Sequence, residues 1–595
     1  MLAGLVLGAF ALLLVRCAWV SDDAFITLRT VDNALHGLGL RWNPAERVQS
    51  YTHPLWMLLL LVAHAVSGEP YYGTLVLCGI TSLAAMGALW LGVARSPAAA
   101  LAASVPLLGS KAFVDFGTSG LENPLTHLLL ALVVLSALRG GDRPADLFRT
   151  ALLTALAMLV RLDLVLLFAP VLAVHAARSP RTRAHLGALI VGFAPLVAWE
   201  AFAFVYYGSL VPNTAYAKLG TGIPRSEMIA QGFTYLVHAA RYDRVTLWVL
   251  ACGVVPLATV REPAVRALLG GALAYVLYVV WIGGDFMAGR FLTAPMFAAS
   301  LAISRVDAGP WVAGLAAALP TALAALSPNA PMWSGADYVK IPAWEGIVDE
   351  RGYYHHGAGL WSSKRPMSHA FAREGRQARR AGRHTEFRAA VGYFGYYAGP
   401  QVHIVDPLGL NDPLLSRIPA RYTPSWRVGH YRRELPRRYD PGNDVPPEDS
   451  ELAALYARVR HITRGPLLDL SRLTDAASLQ LFGPAIDPWR WRFPEVVVRA
   501  EHESSLLGPV DARGTVVHVS PPRVLHPTIT ADPGQHVQVL YARDHRVLAT
   551  HAVDATGEPQ ALPESPAGTE LVFVFPQNRG QRVNLRALDL GPEDP

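Results

Sequence analysis

The sequence predicts a polytopic α-helical membrane protein whose carboxyl-terminal part is more polar. Apolar residues make up 52% of the 595 residues, and charged residues only 16%. Long apolar runs are confined to residues 1–327. The short connections between these runs carry clustered arginines, which mark the cytoplasmic side of a membrane protein. Together these observations predict about eleven spans, with the amino terminus inside and the carboxyl terminus outside.

The first apolar run extends from Leu2 to Val20 and is interpreted as an uncleaved membrane span. At about 1.5 Å per residue, a helix of this length crosses a bilayer core. The run lacks the basic start and the small-residue cleavage site of a signal peptide.

Further apolar runs supply the other predicted spans, at 71–94, 97–114, 121–138, 150–176, 186–207, 245–260, 267–283, 290–304 and 310–327. The run 150–176 has arginines at both ends and holds Arg161 and Asp163 near its middle. We therefore predict two short spans that meet at an outer turn containing this charged pair. The run 54–65 is short for a span and is predicted to dip into the outer leaflet.

The chain is divided by composition into three predicted domains. Residues 1–327 form the transmembrane domain, 328–475 an extracytoplasmic mixed α/β domain, and 476–595 a β-rich module. Alternating β-branched runs at Gly514–Val519, His536–Ala542 and Glu570–Phe575 predict a small β-sandwich. Its position outside the membrane suggests a carbohydrate-binding module.

Two classes of function are disfavoured by composition. The net charge of +6 is modest, and arginines in short membrane loops report topology rather than nucleic-acid binding. Cys17, Cys78 and Cys252 lie in apolar runs without metal-ligand spacing, so neither a disulfide framework nor a zinc site is predicted.

Asp22 and Asp23 follow the first span directly and are the predicted catalytic residues. One such carboxylate could accept the proton of an acceptor hydroxyl, or hold a cation that bridges to a lipid phosphate. The competing interpretation is an acidic helix start after Ser21, since Ser and Asp favour that position. A helix is predicted over Ala24–Leu38, and it could lie along the membrane surface.

Other predicted site residues lie in the outer loops. Aromatic and hydrogen-bonding side chains such as Trp42, Asn43 and His53 are typical of a sugar site, although an interfacial aromatic belt looks similar in part. The predicted phosphate-binding cations are Arg161, Lys218 and Arg290, with Arg29 behind them. Each of these could instead be a snorkelling anchor. Further predicted substrate-binding residues are Glu122, Asp163 and Asp285, which could orient the cations, bind sugar hydroxyls or hold a metal.

Several motifs resemble those of GT-C glycosyltransferases, and in particular the mycobacterial terminal β-(1→2) arabinofuranosyltransferase type. They are Asp22-Asp23-Ala-Phe-Ile, Arg41-Trp-Asn-Pro-Ala-Glu-Arg-Val48, Tyr51-Thr-His-Pro-Leu-Trp56, Thr118-Ser-Gly-Leu-Glu-Asn-Pro124, Tyr207-Gly-Ser-Leu-Val-Pro-Asn-Thr-Ala-Tyr-Ala-Lys218, Gly284-Asp-Phe-Met-Ala-Gly-Arg-Phe291, Gly346-Ile-Val-Asp-Glu-Arg-Gly352 and Val405-Asp-Pro-Leu-Gly-Leu-Asn-Asp-Pro413. The resemblance is scattered over roughly residues 20–440.

This resemblance implies a GT-C-like fold in the inner membrane with an extracytoplasmic active site. It implies transfer of a sugar, decaprenyl-phospho-arabinofuranose being the donor, to a cell-envelope glycan or glycolipid. A carboxylate of the Asp22–Asp23 pair would lie near the reacting carbon. The donor already carries a phosphate leaving group, so no nucleotide-binding fold is required.

Two other functions fit parts of the sequence. A transporter or flippase of a lipid-linked sugar would share the spans, but it favours repeated halves, and no repeat is visible. A non-catalytic glycan-binding assembly protein would use the carboxyl-terminal part but leave Asp22 and Asp23 idle. No cofactor is required, and a divalent cation held by Asp22 and Asp23 stays an open alternative.

Overall fold

The computed structural model describes residues 1–219, 221–307, 309–327, 330–334, 343–362, 367–421, 426–486, 509–510, 515–543, 546–577 and 583–590. Gly514, where one predicted strand begins, and residue 328, where the predicted mixed domain begins, lie outside these ranges.

The amino-terminal part is mainly helical. Its helices are α1 Leu2–Arg16, α2 Asp22–Leu35, α3 Pro54–Ser67, α4 Pro70–Ala88, α5 Pro97–Gly109, α6 Lys111–Asp115, α7 Asn123–Arg139, α8 Pro144–Met158, α9 Val165–Arg178, α10 Arg183–Gly192, α11 Ala194–Tyr207, α12 Asn213–Lys218, α13 Arg225–Tyr242, α14 Arg244–Cys252, α15 Val255–Thr259, α16 Pro263–Trp281, α17 Thr293–Ile303 and α18 Pro310–Ala325. Many begin with proline, whose missing N–H is not needed in a first helical turn.

Among the described residues, two helices are long and apolar enough to cross a membrane by themselves. They are Pro70–Val93, which continues α4 through a π-helical turn, and Pro263–Trp281. A third span results if α10 and α11, which meet at an angle of 43°, are counted together. The other apolar helices are shorter, at 10–17 residues or as broken pairs. The prediction of about eleven spans therefore stays a prediction.

The interruption predicted within run 150–176 is confirmed. Helix α8 ends at Met158, a 3₁₀ turn covers Leu162–Leu164, and α9 begins at Val165. Arg161 lies at this break. Two charged side chains in mid-run favour such a break, because a continuous buried helix would place them in an apolar environment.

The helix predicted at Ala24–Leu38 is present as α2, Asp22–Leu35. It is buried on several faces, and even the polar side chains of Arg29 and Thr30 are covered. Phe25 packs its ring edge against Tyr393, with ring centroids 5.0 Å apart. Helix α2 is therefore enclosed by protein on these faces and is not limited to a single apolar stripe.

The next part of the chain combines helices with a short parallel sheet. Its elements are α19 Glu350–Ala358, α20 Ala370–Arg380, β1 Thr385–Phe387, α21 Gly392–Ala398, β2 His403–Val405, α22 Ser450–Arg464 and α23 Leu470–Phe482. Strands β1 and β2 pair in parallel, with Thr385 opposite His403. Tyr393 and Phe394 are fully enclosed, which supports the interpretation of this aromatic-rich stretch as core.

The carboxyl-terminal strands are β3 Pro509–Val510, β4 Thr515–Arg523, β5 Thr528–Ala531, β6 His536–Arg543, β7 Arg546–Asp554, β8 Gln560–Ala561, β9 Thr569–Pro576 and β10 Val583–Asp589. Among the described residues they form two four-stranded antiparallel sheets, ordered β3-β10-β5-β8 and β4-β9-β6-β7. Side chains from both sheets, including Ile529, Val539, Val574 and Leu585, share one apolar cluster. This is the packing of a β-sandwich. A carbohydrate-binding role for it stays a prediction.

The chain separates into two compact units. The first comprises Met1–Tyr216, Pro224–Ser416 and Arg437–Pro484, and the second Ala217–Ile223, Arg417–Pro436 and Ala485–Pro595. The predicted boundary at residue 327 falls inside the first unit. The three-domain division stays a prediction.

Candidate active site

Asp22 and Asp23 begin helix α2, and the Ser21 side chain accepts the Ala24 N–H at 3.2 Å. Both oxygens of Asp22 accept backbone N–H groups from the start of α21, from Gly392 at 3.0 Å and Tyr393 at 2.7 Å. Position 392 requires glycine, because a Cβ there would lie 1.8 Å from the Asp22 carbonyl oxygen. Asp22 is thus an anchor between two segments distant in sequence.

Burial dominates the electrostatics of Asp22, which is only 4% exposed. It raises the pKa of the Asp22 carboxyl to about 7, against the lowering effect of the amide of Tyr393. Asp23 is partly exposed, and its negative charge acts on the Arg290 guanidinium. Neighbouring helical side chains point about 100° apart, so the two carboxylates face different surroundings.

Arg161, Arg290 and Glu122 come from three separate predicted outer loops and meet in the structure. The Glu122 Oε1 atom accepts Arg161 Nη1 at 3.2 Å and Arg290 Nη2 at 2.9 Å. Arg161 also binds Asp163 through two N–H groups, at 2.9 and 2.6 Å. Asp285 Oδ2 lies 3.9 Å from Arg290 Nη1. We call Glu122, Arg161, Asp163, Asp285, Arg290 and His53 the Glu122 cluster.

His53 joins this cluster through its ring. Its Nδ1 atom lies 3.4 Å from Glu122 Oε2, and its Nε2 atom lies 2.9 Å from the Thr27 hydroxyl. Burial, together with the nearby guanidiniums, lowers the pKa of His53 to about 4 in spite of Glu122. The imidazole of His53 is therefore neutral near pH 7.

Several polar atoms of the Glu122 cluster are buried without a hydrogen-bond partner among the described residues. They are Arg290 Nε, Glu122 Oε2 and Asp285 Oδ2. Buried polar groups are nearly always hydrogen-bonded, so a group of such atoms in one place needs an explanation. A polar ligand that enters the cluster would supply the missing partners.

An aromatic surface lies against the guanidiniums. The Phe291 ring centroid is 4.4 Å from the Arg161 guanidinium carbon and 5.7 Å from that of Arg290. The Tyr275 hydroxyl donates to Asp163 at 3.3 Å. Sequence reasoning missed Tyr275 and Thr27, because neither differs in pattern from the apolar or helical residues around it. Phe291 follows Arg290 directly and could have been noticed.

Arg29 does not join the Glu122 cluster by any described contact. Its guanidinium donates to the carbonyls of Trp42, Gly395 and Val402 at 2.7–2.8 Å, and it stacks 4.6 Å from the Trp42 ring centroid. It is 2% exposed. Because the N–H groups of Arg29 already donate to these carbonyls, they are not available to a lipid phosphate. These contacts are structural, and the predicted role of Arg29 in phosphate binding stays a prediction.

Trp42 and Asn43 also have structural contacts. Trp42 is completely buried. The Asn43 side chain exchanges two hydrogen bonds with the backbone of Ile404, accepting its N–H at 3.1 Å and donating to its carbonyl at 3.0 Å. These contacts fasten the loop after α2 to strand β2. A sugar-binding role for these two residues gains no support from the geometry.

Lys218 is exposed at the end of α12 and belongs to the second compact unit. Its predicted role in phosphate binding stays a prediction.

The predicted alternative of a metal held by Asp22 and Asp23 fits the donor atoms poorly. Both Asp22 oxygens already accept backbone N–H groups, so Asp22 is poorly placed to ligate a metal. Among the described residues, no three His, Cys, Asp or Glu side chains are grouped as metal ligands. We derive no chemical step through a metal.

The chain is similar to curated glycosyltransferases. It is 31% identical over 405 residues to the terminal β-(1→2)-arabinofuranosyltransferase of Mycobacterium tuberculosis, covering 57% of this chain and 63% of that protein. It is 29% identical over 383 residues to the enzyme of the same name from Corynebacterium glutamicum, covering 56% and 55%. No family model matches the chain. These relatives confirm the resemblance indicated by the motifs.

The chain spans less than two thirds of the length of these curated relatives. Among solved structures it is similar to the mycobacterial arabinofuranosyltransferase AftD, with a TM-score of 0.41 and 12% identity, covering 100% of this chain and 59% of that one.

Proposed function

We propose that this protein is a membrane glycosyltransferase that transfers arabinofuranose from a polyprenyl-phosphate donor to a cell-envelope glycan outside the cytoplasm. The relatives named as terminal arabinofuranosyltransferases support the reaction class. The observation that carries the proposal is the Glu122 cluster, where two buried guanidiniums share one carboxylate oxygen and the guanidinium of Arg290 lies within electrostatic reach of Asp23.

In this proposal Arg290 and Arg161 bind the donor phosphate. Arg290 contributes an Nε–H without an acceptor among the described residues, and that group is suited to a phosphate oxygen. Glu122 holds the two guanidiniums side by side through one oxygen. It keeps them oriented before the donor arrives, so little ordering is needed on binding.

Asp23 is the proposed general base. The acceptor hydroxyl oxygen attacks the anomeric carbon of the donor, and its proton passes to the Asp23 carboxylate. The bond between that carbon and the phosphate oxygen breaks, and the electron pair leaves with the lipid phosphate. The guanidiniums stabilise the charge that develops on this leaving group.

Asp22 is proposed to position Asp23 and not to react itself. Its oxygens are occupied by the amides of Gly392 and Tyr393 and it is almost fully covered. The carboxylate that lies closer to the first span is therefore the anchor. Asp23, whose charge acts on Arg290, is the proposed base.

The proposed orientation puts these groups on the outer face of the inner membrane. A cysteine placed in the connection 140–143 should resist an impermeant thiol reagent in intact cells, and one at residue 447 should react. Labelling of the first site from outside would contradict the orientation but leave the chemistry untouched.

Transfer itself is tested with purified protein, a synthetic polyprenyl-phosphate arabinofuranose and an oligosaccharide acceptor. We expect a product that is heavier by one pentose, detected by mass spectrometry. Movement of the intact donor across proteoliposomes without product would favour the flippase instead. Glycan binding without either activity would favour an assembly role.

A further inference from the structure

A second group of buried charges lies apart from the Glu122 cluster. We call Lys111, Asp115, Asp349 and Arg351 the Asp115 cluster, and none of its side chains is more than 2% exposed. Lys111 contacts Asp115 closely and lies 3.5 Å from Asp349, and Arg351 Nη1 lies 3.2 Å from Asp115. The cluster contains equal numbers of positive and negative groups.

The cluster is closed by an aromatic side chain. The Tyr242 ring centroid lies 4.8 Å from the Lys111 ammonium nitrogen. The Tyr242 hydroxyl lies 3.4 Å from a carboxylate oxygen of Asp115 and 3.4 Å from one of Asp349, so its single proton can be donated to either. Matching opposite charges within a buried network offsets the cost of removing them from water only if the geometry is maintained. Such a network therefore resists displacement of any segment that contributes to it.

One side of the Asp115 cluster is joined to the loop that carries Arg290. Asp349 follows Val348, whose N–H donates to the Phe286 carbonyl at 2.8 Å and whose carbonyl accepts the Ala288 N–H at 3.0 Å. These bonds form a short parallel bridge beside Asp285 and Arg290. The position of the loop that carries Arg290 is thus fixed by the backbone just before Asp349.

The other side is joined to the segment that carries Asp23. The Trp19 indole N–H donates to the Asp115 carbonyl at 2.7 Å. Further along, the Ser21 N–H donates to the Ser119 carbonyl at 2.8 Å. Trp19 and Ser21 directly precede the carboxylate pair. The Asp115 cluster is therefore connected by short backbone paths to both halves of the candidate site.

We infer that the Asp115 cluster is a positioning device that sets the distance between Asp23 and Arg290. This inference rests on the proposed function, in which Asp23 and Arg290 act on opposite ends of the reacting bond. A displacement of about 1 Å between such groups can reduce the rate about 10²-fold while leaving each able to bind. The members of the cluster are positioning residues, since none of them is proposed to touch substrate.

The test uses the double variant Lys111→Met/Asp349→Asn, which removes one positive and one negative charge together and avoids leaving a lone buried charge. We expect kcat to fall about 10- to 100-fold. The donor concentration for half-maximal rate should stay close to that of wild type, since Arg161, Arg290 and Glu122 are retained. The matched control is Arg305→Met/Glu262→Gln, which neutralises an ion pair of 2.7 Å elsewhere and should leave kcat unchanged.

A second measurement does not depend on activity. Spin labels are attached at Leu35→Cys and Trp281→Cys, which are both exposed positions, in a protein that also carries Cys252→Ser. The distance between the two labels reports the spacing between α2 and the start of the loop that carries Arg290. We expect the double variant to shift or broaden this distance, and the control pair to preserve it. If wild type transfers no sugar, the proposed function fails, and the spin-label distance still decides whether the cluster sets the spacing.

Three results would overturn the inference. One is a loss of kcat that only follows the loss of folded protein, as measured by thermal unfolding. Another is an unchanged spin-label distance in a folded double variant. An effect on donor affinity with normal kcat would also count against it, because that outcome assigns the cluster to binding and not to spacing.

Discussion

The Glu122 cluster and the Asp115 cluster are both buried groups of arginine or lysine with carboxylates, yet they differ in their balance of charge. In the Asp115 cluster, two positive groups face two carboxylates, and the Tyr242 hydroxyl lies 3.4 Å from an oxygen of each carboxylate. In the Glu122 cluster, three carboxylates face two guanidiniums, and atoms of Glu122, Asp285 and Arg290 lack hydrogen-bond partners among the described residues.

The difference separates a structural role from a binding role. A buried network in which opposite charges are equal in number is stabilised internally, and its value lies in holding segments together. A buried network with unpaired atoms carries a free-energy cost that a polar ligand can remove. This contrast produces the predictions that follow.

The largest expected effect is that of Asp23→Asn on turnover. Loss of a positioned general base should reduce kcat about 10²–10⁴-fold. Thermal stability should change little, because Asp23 is partly exposed. Steady-state transfer assays with the purified variant measure kcat, and thermal unfolding measures stability. Near-normal turnover would remove Asp23 from the mechanism.

The second-largest effect is expected for Arg290→Gln, which should weaken donor binding. Hydrogen bonds to charged groups contribute about 1.5–3 kcal/mol each, which corresponds to roughly 10- to 100-fold in affinity. Arg161→Ala should act in the same direction but less, since Asp163 already occupies two of its N–H groups. The measurement is the dependence of rate on donor concentration.

Arg29→Met is the matched control for these arginine variants. Its guanidinium is taken up by backbone carbonyls, so the variant should lower stability and leave the donor dependence of the remaining folded protein unchanged. Equal weakening of donor binding by Arg29→Met and Arg161→Ala would remove the distinction between Arg29 and the proposed donor-binding arginines.

Asp22→Asn should affect stability more than chemistry, by about 1–3 kcal/mol, because one backbone N–H loses its acceptor. The pKa of Asp22 is raised to about 7 in the folded protein from an ordinary value of 3.8. The folded state therefore holds the proton more tightly between about pH 4 and 7, and the stability from this group falls as pH rises through that range. Denaturation at several pH values should show a flatter profile for Asp22→Asn.

The smallest effect is expected for His53→Gln. Burial lowers the pKa of His53 to about 4, so the ring is neutral across pH 5–8 and its loss should not move the acid limb of the activity profile. One neutral hydrogen bond to Thr27 is worth about 1 kcal/mol of stability. A shift of the acid limb would instead make His53 a titrating member of the site.

Local patterns in the sequence were sufficient for much of the secondary structure. The apolar runs predicted helices, the charged pair Arg161 and Asp163 predicted a break in one of them, and alternation predicted carboxyl-terminal strands. These features depend on neighbours a few positions apart, whose periodicity is visible in the chain itself. The motifs around Asp22, Glu122 and Arg290 likewise predicted a region of chemistry, and that assignment stays a prediction.

The role of each charged residue was decided only by tertiary structure. Asp22 and Asp23 are adjacent and chemically identical, and only the amides of Gly392 and Tyr393, 370 positions further along, separate anchor from candidate base. Arg29 and Arg290 are the same residue type, but their surroundings differ. Three backbone carbonyls accept the N–H groups of Arg29, whereas the Nε–H of Arg290 has no hydrogen-bond partner among the described residues. Burial and long-range partners set the energy of a charge, and neither is encoded in local spacing.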